Sequence, residues 1–261
     1  DYQIRVWDIP EGTRKAKGQA IINLIEITPE EKVQTIMAVP ETLDEIGEDY
    51  FLFATKQGMV KRTQIKEYEN IKRNGLIAIN LKKDDELIQV KKTSGKDHIL
   101  LVTKKGKSIR FEEKDVRDTG RDTMGVKGIS LKKGDYVLAL ESFDAKPPKP
   151  DDKRRKFFRH LLVVTENGLG KRTPLKQYPV QNRGGQGVKV ANITKKTREI
   201  AGAEKVTHNT EFIILSTKSA QAIKLPLKNI PELKRPTQGV ILMRLKKTDK
   251  VTAVTRIDEH E

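Results

Sequence analysis

The stretch QNRGGQGVKVANI, residues 181–193, sets three glycines and an arginine ahead of a short apolar run. Its frame is a glycine, five residues and then an aliphatic side chain: Gly187, VKVAN, Ile193. The same frame occurs four more times. Gly18 leads through QAIIN to Leu24, Gly75 through LIAIN to Leu81, Gly125 through VKGIS to Leu131, and Gly239 through VILMR to Leu245. The glycines are 57, 50, 62 and 52 residues apart. A period of roughly fifty residues marks a repeat architecture, in which no unit buries its apolar face alone and stacked neighbours supply the core.

A hairpin pattern falls between the frames: FLFATKQGMVKRT (51–63), LLVTKKGKSIRF (100–111), LVVTENGLGKRT (162–173) and ILSTKSAQAIKL (214–225). The turn position is Gly58, Gly106, Gly168 and, without glycine, Ala220. Glycine there suits the positive φ of a tight hairpin, and Asn167-Gly168 is a strong short-range hairpin signal. An alternating strand closes each unit: KVQTIMAV (32–39), ELIQVKK (86–92), YVLALESF (136–143), EIAGAEKV (199–206) and KVTAVTRI (250–257). Alternation of this kind marks strands with one buried face. The expectation is an all-β, propeller-like array of four-stranded blades in a single domain over residues 1–257. Full blades are expected at about 50–93, 97–143, 156–208 and 210–257, with a partial blade in 1–40. That first unit lacks the leading strand of its hairpin, so the chain reads as a piece of a longer protein. DAKPPKPDDKRRK (144–156), with three prolines and many charges, reads as a surface insertion between blades. Residues 258–261 read as a frayed acidic tail.

Charge narrows the function. The chain carries 52 Lys+Arg against 36 Asp+Glu, a net +16, which points to a polyanion and most simply to nucleic acid. There is no cysteine, which excludes disulfides and thiolate metal sites. No apolar run approaches the ~20 residues of a membrane helix. A cytoplasmic, nucleoid-associated protein fits. His98, His160, His208 and His260 are scattered without metal-ligand spacing. The pairs Asp84–Asp85, Glu112–Glu113 and Asp151–Asp152 fall in turns or linkers, where acids are ordinary. No phosphate-loop motif is present. Aromatics make up 5%, which disfavours base stacking, and Trp7 reads as packing. No catalytic residue, metal or cofactor is expected in this segment.

What recurs is positive charge. A cation follows each hairpin turn (Arg62, Arg110, Arg172, Lys224), and others precede each frame glycine (Arg14 and Lys17, Lys72 and Arg73, Arg121, Arg183, Arg235). Lys15, Lys61, Lys127, Lys171, Lys189 and Lys234 lie beside them. Set around a common centre, these residues are expected to form an outer stripe that tracks a duplex backbone and has little part in the fold. Bending 20–30 base pairs by 40–90° costs about 1–6 kcal/mol, which the few cations of one blade do not offset and those of several blades do. Such binding reads no bases and weakens steeply with salt. A protein-interaction propeller would instead present an apolar or aromatic patch, and an RNA-binding module would want exposed aromatic platforms.

Taken together, RVWDIPEGTRKAKGQAIINLI, FLFATKQGMVKRT, RFEEKDVRDTGRDTMGVKGISL, GLGKRTPLKQYPVQNRGGQGVKV and RPTQGVILMRL resemble the C-terminal domain of the bacterial DNA gyrase A subunit, over nearly the whole chain. The A-type subunit of topoisomerase IV shares the repeat. The resemblance implies a six-bladed β-pinwheel whose blades exchange strands. It implies wrapping of duplex DNA around a basic rim, so that a type II topoisomerase, using ATP and Mg2+ bound elsewhere, introduces negative supercoils. The implied partners are duplex DNA, the B subunit, plus the remainder of the A subunit; the isolated domain is expected to be monomeric, and no membrane is involved. The family's signature box is a glutamine, two arginines, two glycines, a lysine and a glycine. QNRGGQG resembles it, with Asn182 and Gln186 in place of two cations, and by order it is a later blade's version.

Overall fold

In a computed structural model, residues 1–13, 15–28, 30–37, 49–68, 71, 75–145 and 159–259 are described. The hairpin segments form β1 (Tyr50–Thr55) with β2 (Met59–Gln64), β4 (Asp97–Thr103) with β5 (Lys107–Glu112), β8 (Arg159–Thr165) with β9 (Leu169–Pro174), and β12 (Thr210–Thr217) with β13 (Ala222–Pro226). Gly58, Gly106 and Gly168 turn at φ 83°, 83° and 75°, and Ala220 adopts the same left-handed conformation at φ 61°. The closing segments form β3 (Leu87–Thr93), β7 (Val137–Asp144), β11 (Ile200–Thr207) and β15 (Val251–Asp258), each antiparallel to the first strand of its own hairpin.

The fourth strand is borrowed. β6 (Val126–Lys127), β10 (Val188–Lys189) and β14 (Val240–Ile241) come from the glycine frames of the following units and pair with β2, β5 and β9. The strand orders are therefore β3-β1-β2-β6, β7-β4-β5-β10 and β11-β8-β9-β14, with β15-β12-β13 as a three-stranded fourth sheet. The frame glycine makes the exchange possible. Gly125, Gly187 and Gly239 have φ of 77°, 66° and 85°, and a Cβ there would collide with the carbonyl oxygen of Val60, Ser108 or Gly170. Only glycine combines that conformation with that approach.

Blades pack face to face. Ile99 and Leu101 of β4 join Leu52 and Val60 of the first blade, whereas Leu100 and Val102 join Leu161 and Val163 of the third. Both faces of β4 are buried, which explains its unbroken apolar run. A fully buried Leu or Ile of this kind contributes about 1.5–3 kcal/mol. A third core joins Leu162 and Val164 to Ile213 and Leu215. Backbone bonds then stitch neighbours at two levels. The N–H groups of Val137, Ile200 and Val251 donate to the carbonyls of Lys56, Lys104 and Glu166, in the preceding hairpin turns, at 2.9–3.0 Å. Those of Asn80, Ser130 and Asn192 donate to Thr123, Gly185 and Thr237, just ahead of the next frame glycine, at 2.9–3.2 Å.

The leading unit differs from expectation. Among the described residues of 1–37 there is no strand, and Val6, Trp7 and Ile36 are exposed, Trp7 at 66%, so Trp7 is not packed in a core. The segment meets the first blade through Met37, packed against the Phe51, Phe53 and Tyr68 cluster, and through a reciprocal pair: the Asp1 ammonium donates to Leu76 O at 2.8 Å and Leu76 N–H to Asp1 O at 2.9 Å. The expected insertion lies almost wholly outside the described residues.

The cations after the hairpin turns are also placed differently. Arg110 Nη1 donates to the carbonyls of Leu175 and Tyr178, at 3.1 Å each, and its Nε to His98 Nδ1 at 2.9 Å. Arg172 Nε donates to Ile230 O at 2.8 Å, and Arg62 Nη1 reaches Gly95 O at 3.4 Å while its guanidinium stacks 4.6 Å from the Tyr50 ring. All three are half-buried. Lys61 and Lys171 are 0% and 1% exposed; Lys61 Nζ donates to Ala78 O (2.5 Å) and Arg121 O (2.7 Å), and Lys171 Nζ to Lys234 O (2.7 Å) and Arg235 O. Burial pulls both ammonium groups down to about 8. The reason is backbone accounting: irregular segments leading to the exchanged strands bring carbonyls into the joints without a ladder, and buried cations satisfy them. The expected stripe of hairpin cations is thus mostly internal; only Lys224 is exposed, its Nζ 3.9 Å from the Phe212 ring.

The closing strands meet around the centre with a compact charge cluster. Glu141 pairs with Lys91 Nζ at 3.3 Å and accepts from Lys205 N–H at 3.0 Å; Arg256 donates to Lys205 O at 2.5 Å. Burial, with the Glu141 carboxylate adding to it, pushes the Glu204 carboxyl up to about 7.

Three outcomes follow from this packing. Gly187→Ala should cost about 2–4 kcal/mol, from a left-handed φ and a carbonyl clash, whereas Gly120→Ala, with nothing within 4 Å, should be near neutral in thermal melting. Arg172→Ala should cost about 1–3 kcal/mol in denaturant unfolding by leaving the Ile230 carbonyl unpaired. A raised carboxyl pKa means that the folded state holds the Glu204 proton more tightly, so stability present below about pH 4.5 is lost as pH rises through about 7. Glu204→Gln should flatten that decline when melting temperatures are compared across this window.

Candidate nucleic-acid interface

The exchanged strands form the outer edge of the sheets, and the edge carries the accessible charge. Lys127 and Lys189 occupy equivalent positions on β6 and β10 and are exposed; the same position is Ile77 in the preceding frame and Ile241 on β14. Lys234 is exposed in the loop leading to β14. Arg183 and Arg235 lie four residues ahead of their frame glycines. Arg183 donates to Lys127 O at 3.1 Å and to Asp115 O at 2.7 Å; Arg235 donates to Lys189 O at 2.7 Å. Each therefore fastens its own loop to the neighbouring edge strand and leaves its remaining guanidinium nitrogens at the edge. Arg121, equivalent in sequence, is half-buried, as are Arg183 and Arg235. Lys15 and Lys17 are exposed on the leading segment, apart from any sheet. Arg14, Lys72 and Arg73 lie outside the described residues.

A second row of cations has the regularity expected of the first. Every second hairpin strand among the four blades ends in a short 3-10 turn: Ile65–Tyr68, Glu113–Asp115, Leu175–Gln177 and Leu227–Asn229. The second residue of each is an exposed lysine: Lys66, Lys114, Lys176 and Lys228. Lys114 is paired with Glu112 at 2.5 Å, which raises the ammonium pKa and lowers that of the carboxyl through the hydrogen bond they share. The sequence signal is the recurrent apolar-Lys-x-apolar run after three of the four hairpins, in IKEY, LKQY and LKNI, which the spacing from the turn residue does not bring out. Across the described residues, positive charge at repeated edge positions is what the arrangement offers; no cluster of His, Cys, Asp or Glu is placed to hold a metal.

Comparison with known proteins agrees with this architecture. A family model described as DNA gyrase C-terminal domain, beta-propeller, matches residues 2–40, 49–94, 97–144, 159–206 and 211–258, five repeats against the four sheets seen here. The DNA gyrase A subunit of Staphylococcus epidermidis is 41% identical over 260 residues, covering 100% of this chain and 28% of that protein, so the chain spans little more than a quarter of its relative. The structure titled "Crystal structure of the C-terminal domain of DNA topoisomerase IV" superposes with a TM-score of 0.81 at 27% identity, over 92% of this chain and 71% of the other. "Structure of DNA gyrase A C-terminal domain" gives 0.76 at 26%, over 93% and 76%. With its glycine frames, exchanged strands and all five matched repeats, the chain belongs to the family of DNA gyrase C-terminal domains, of β-propeller fold.

Proposed function

We propose that this domain binds duplex DNA along the outer edge of its blades, without reading bases, and wraps it for a parent type II topoisomerase that introduces negative supercoils. The observation that carries the reading is the placement of exposed lysines at equivalent positions of successive blades: Lys127 and Lys189 on the exchanged strands, Lys176 and Lys228 in the 3-10 turns, and Lys234 beside them. Lysines on mobile stems make point-charge contacts to phosphates, which position a duplex but do not read it. Wrapping needs contacts spread over several blades, since a bend of tens of degrees costs about 1–6 kcal/mol. The catalytic chemistry, with its ATP and Mg2+, belongs to the rest of the parent enzyme, and the partners are its B subunit together with the other A-subunit domains; the setting is the cytoplasm. A second reading, the topoisomerase IV role of selecting DNA geometry with weaker wrapping, is favoured by one observation, the TM-score of 0.81 to that enzyme's domain.

Replacing Lys127, Lys189, Lys176 and Lys228 together by Gln should leave the melting temperature unchanged. It should lower the slope of log K against log salt by about 0.9 per lost phosphate contact. Fluorescence-anisotropy titrations at several salt concentrations measure this, and an unchanged slope removes the edge from consideration. Affinity that keeps rising with duplex length well beyond ~20 base pairs, with handed coiling in a topological assay, separates wrapping from simple docking.

A further inference from the structure

The hairpin turns and the turns that precede the closing strands all lie at one end of their blades. In the first two units and the fourth, an aspartate of the closing turn is folded inward onto the hairpin turn. Asp85 accepts from Thr55 Oγ1 (2.7 Å) and Gln57 N–H (2.8 Å), and Asp135 from Thr103 Oγ1 (2.8 Å) and Lys105 N–H (2.9 Å). Asp249 accepts from Ser219 N–H (3.1 Å) and Oγ (2.5 Å). In the third unit Thr197 O accepts from Asn167 N–H (3.2 Å) instead. These three aspartates are therefore occupied with backbone and hydroxyl donors, although Asp84 beside the first crest is exposed, and the two residues at each turn's crest point outward. Every crest is a lysine pair: Lys82–Lys83, then Lys132–Lys133 in the second unit, and the equivalent pairs at 195–196 and 246–247. All eight lysines are exposed, and none is in an ion pair among the described residues.

Successive turns share one face because the closing strand of each blade bonds to the hairpin turn of the blade before it, as Val137 does to Lys56 O and Ile200 to Lys104 O. Lys104 and Lys250 both pair with Glu166 across the blade joints, at 2.8 and 3.0 Å, which ties three units together on that face. The opposite ends of the strands carry both signs: Asp49, Glu112 and Asp258 there are paired with Lys92, Lys114 and Arg256, and the 3-10 lysines Lys66, Lys176 and Lys228 lie at that end as well. The hairpin-turn face is set apart by its crests of exposed lysines outside any ion pair among the described residues.

We infer that the lysine-crested face is a second surface for the phosphate backbone of duplex DNA, separate from the blade edge and able to hold another duplex segment while the edge is occupied. The crests offer paired point charges without aromatic residues. Of the exposed large aliphatics only Leu81 adjoins a crest, whereas Ile77, Val240 and Ile241 lie on the edge frames. A protein partner needs apolar or aromatic anchors for affinity, and a duplex backbone needs none.

The test uses a bead-tethered duplex coated with the whole chain and a labelled free duplex as probe. The wild-type coat should capture the probe. Lys132, Lys133, Lys195 and Lys196, all replaced by Gln, should leave melting and coating within about twofold of wild type and cut capture at least about tenfold at physiological salt. No capture by the wild type overturns the inference, as does undiminished capture by this variant. A variant that also fails to coat the tether shows one continuous surface and overturns it too. Displacement of the probe by polyglutamate more readily than by unlabelled duplex assigns the face to an acidic polypeptide and overturns it as well. A Lys127→Gln/Lys189→Gln variant that coats as well as wild type counts against the edge reading alone, since capture is scored separately.

Discussion

The whole arrangement turns on the closeness of two backbones where one unit lends its strand to the previous blade. The frame glycine lies against a carbonyl of the second hairpin strand, Val60, Ser108 or Gly170, in a left-handed conformation that leaves no room for a side chain. That contact sets the start of the borrowed strand, and from there the chain crosses the hairpin turn and enters its own closing strand. Gly58 and Gly106 face Ile129 and Ile193 on that path, so turn and frame are packed together. Once the approach is made, ladder bonds, the edge-to-edge bonds of Asn80, Ser130 and Asn192, and the inter-blade cores are all brought into register.

Charge is sorted by chemistry within this frame. Guanidinium groups and two fully buried ammonium groups serve the joints, where several carbonyls converge and a rigid or multiply donating cation satisfies them. Exposed lysines occupy edges and crests, where a flexible stem and a hydrated charge suit a partner with repeated anionic groups. Recurrence alone does not separate the two roles, because a joint repeats as faithfully as a surface.

This is why the repeat, the hairpins and the closing strands were legible in the residues while half of the candidate site was not. Periodicity of apolar residues and turn glycines reports local backbone geometry, which the four blades keep with bounds shifted by a residue or two and the described part of KVQTIMAV does not. Arg110 and Arg172 looked like surface cations because their partners, carbonyls at Leu175, Tyr178 and Ile230, lie 58 to 68 residues away and carry no side-chain signature. Lys61 and Lys171 were misplaced for the same reason, since nothing in a lysine's neighbours in sequence announces that its amine ends beneath a neighbouring loop. Lys176 and Lys228 were overlooked because they follow the hairpin through a turn rather than lying in it. The leading unit, read as a partial blade, holds no strand among its described residues.

Borrowed strands also decide where the polypeptide is divisible. A boundary drawn between hairpin units, the natural place to trim a tandem array, strips the outermost strand from the blade left behind and bares β2, β5 or β9 as an unpaired edge. Among the described residues β13 is the outermost strand of the fourth sheet, and Pro226 and Lys224 on it are residues that discourage a stray strand from docking. A piece that keeps its last sheet four-stranded has to run on through the donated strand, as from Thr93, where β3 ends, to Lys127, where β6 ends, and so takes the next hairpin with it.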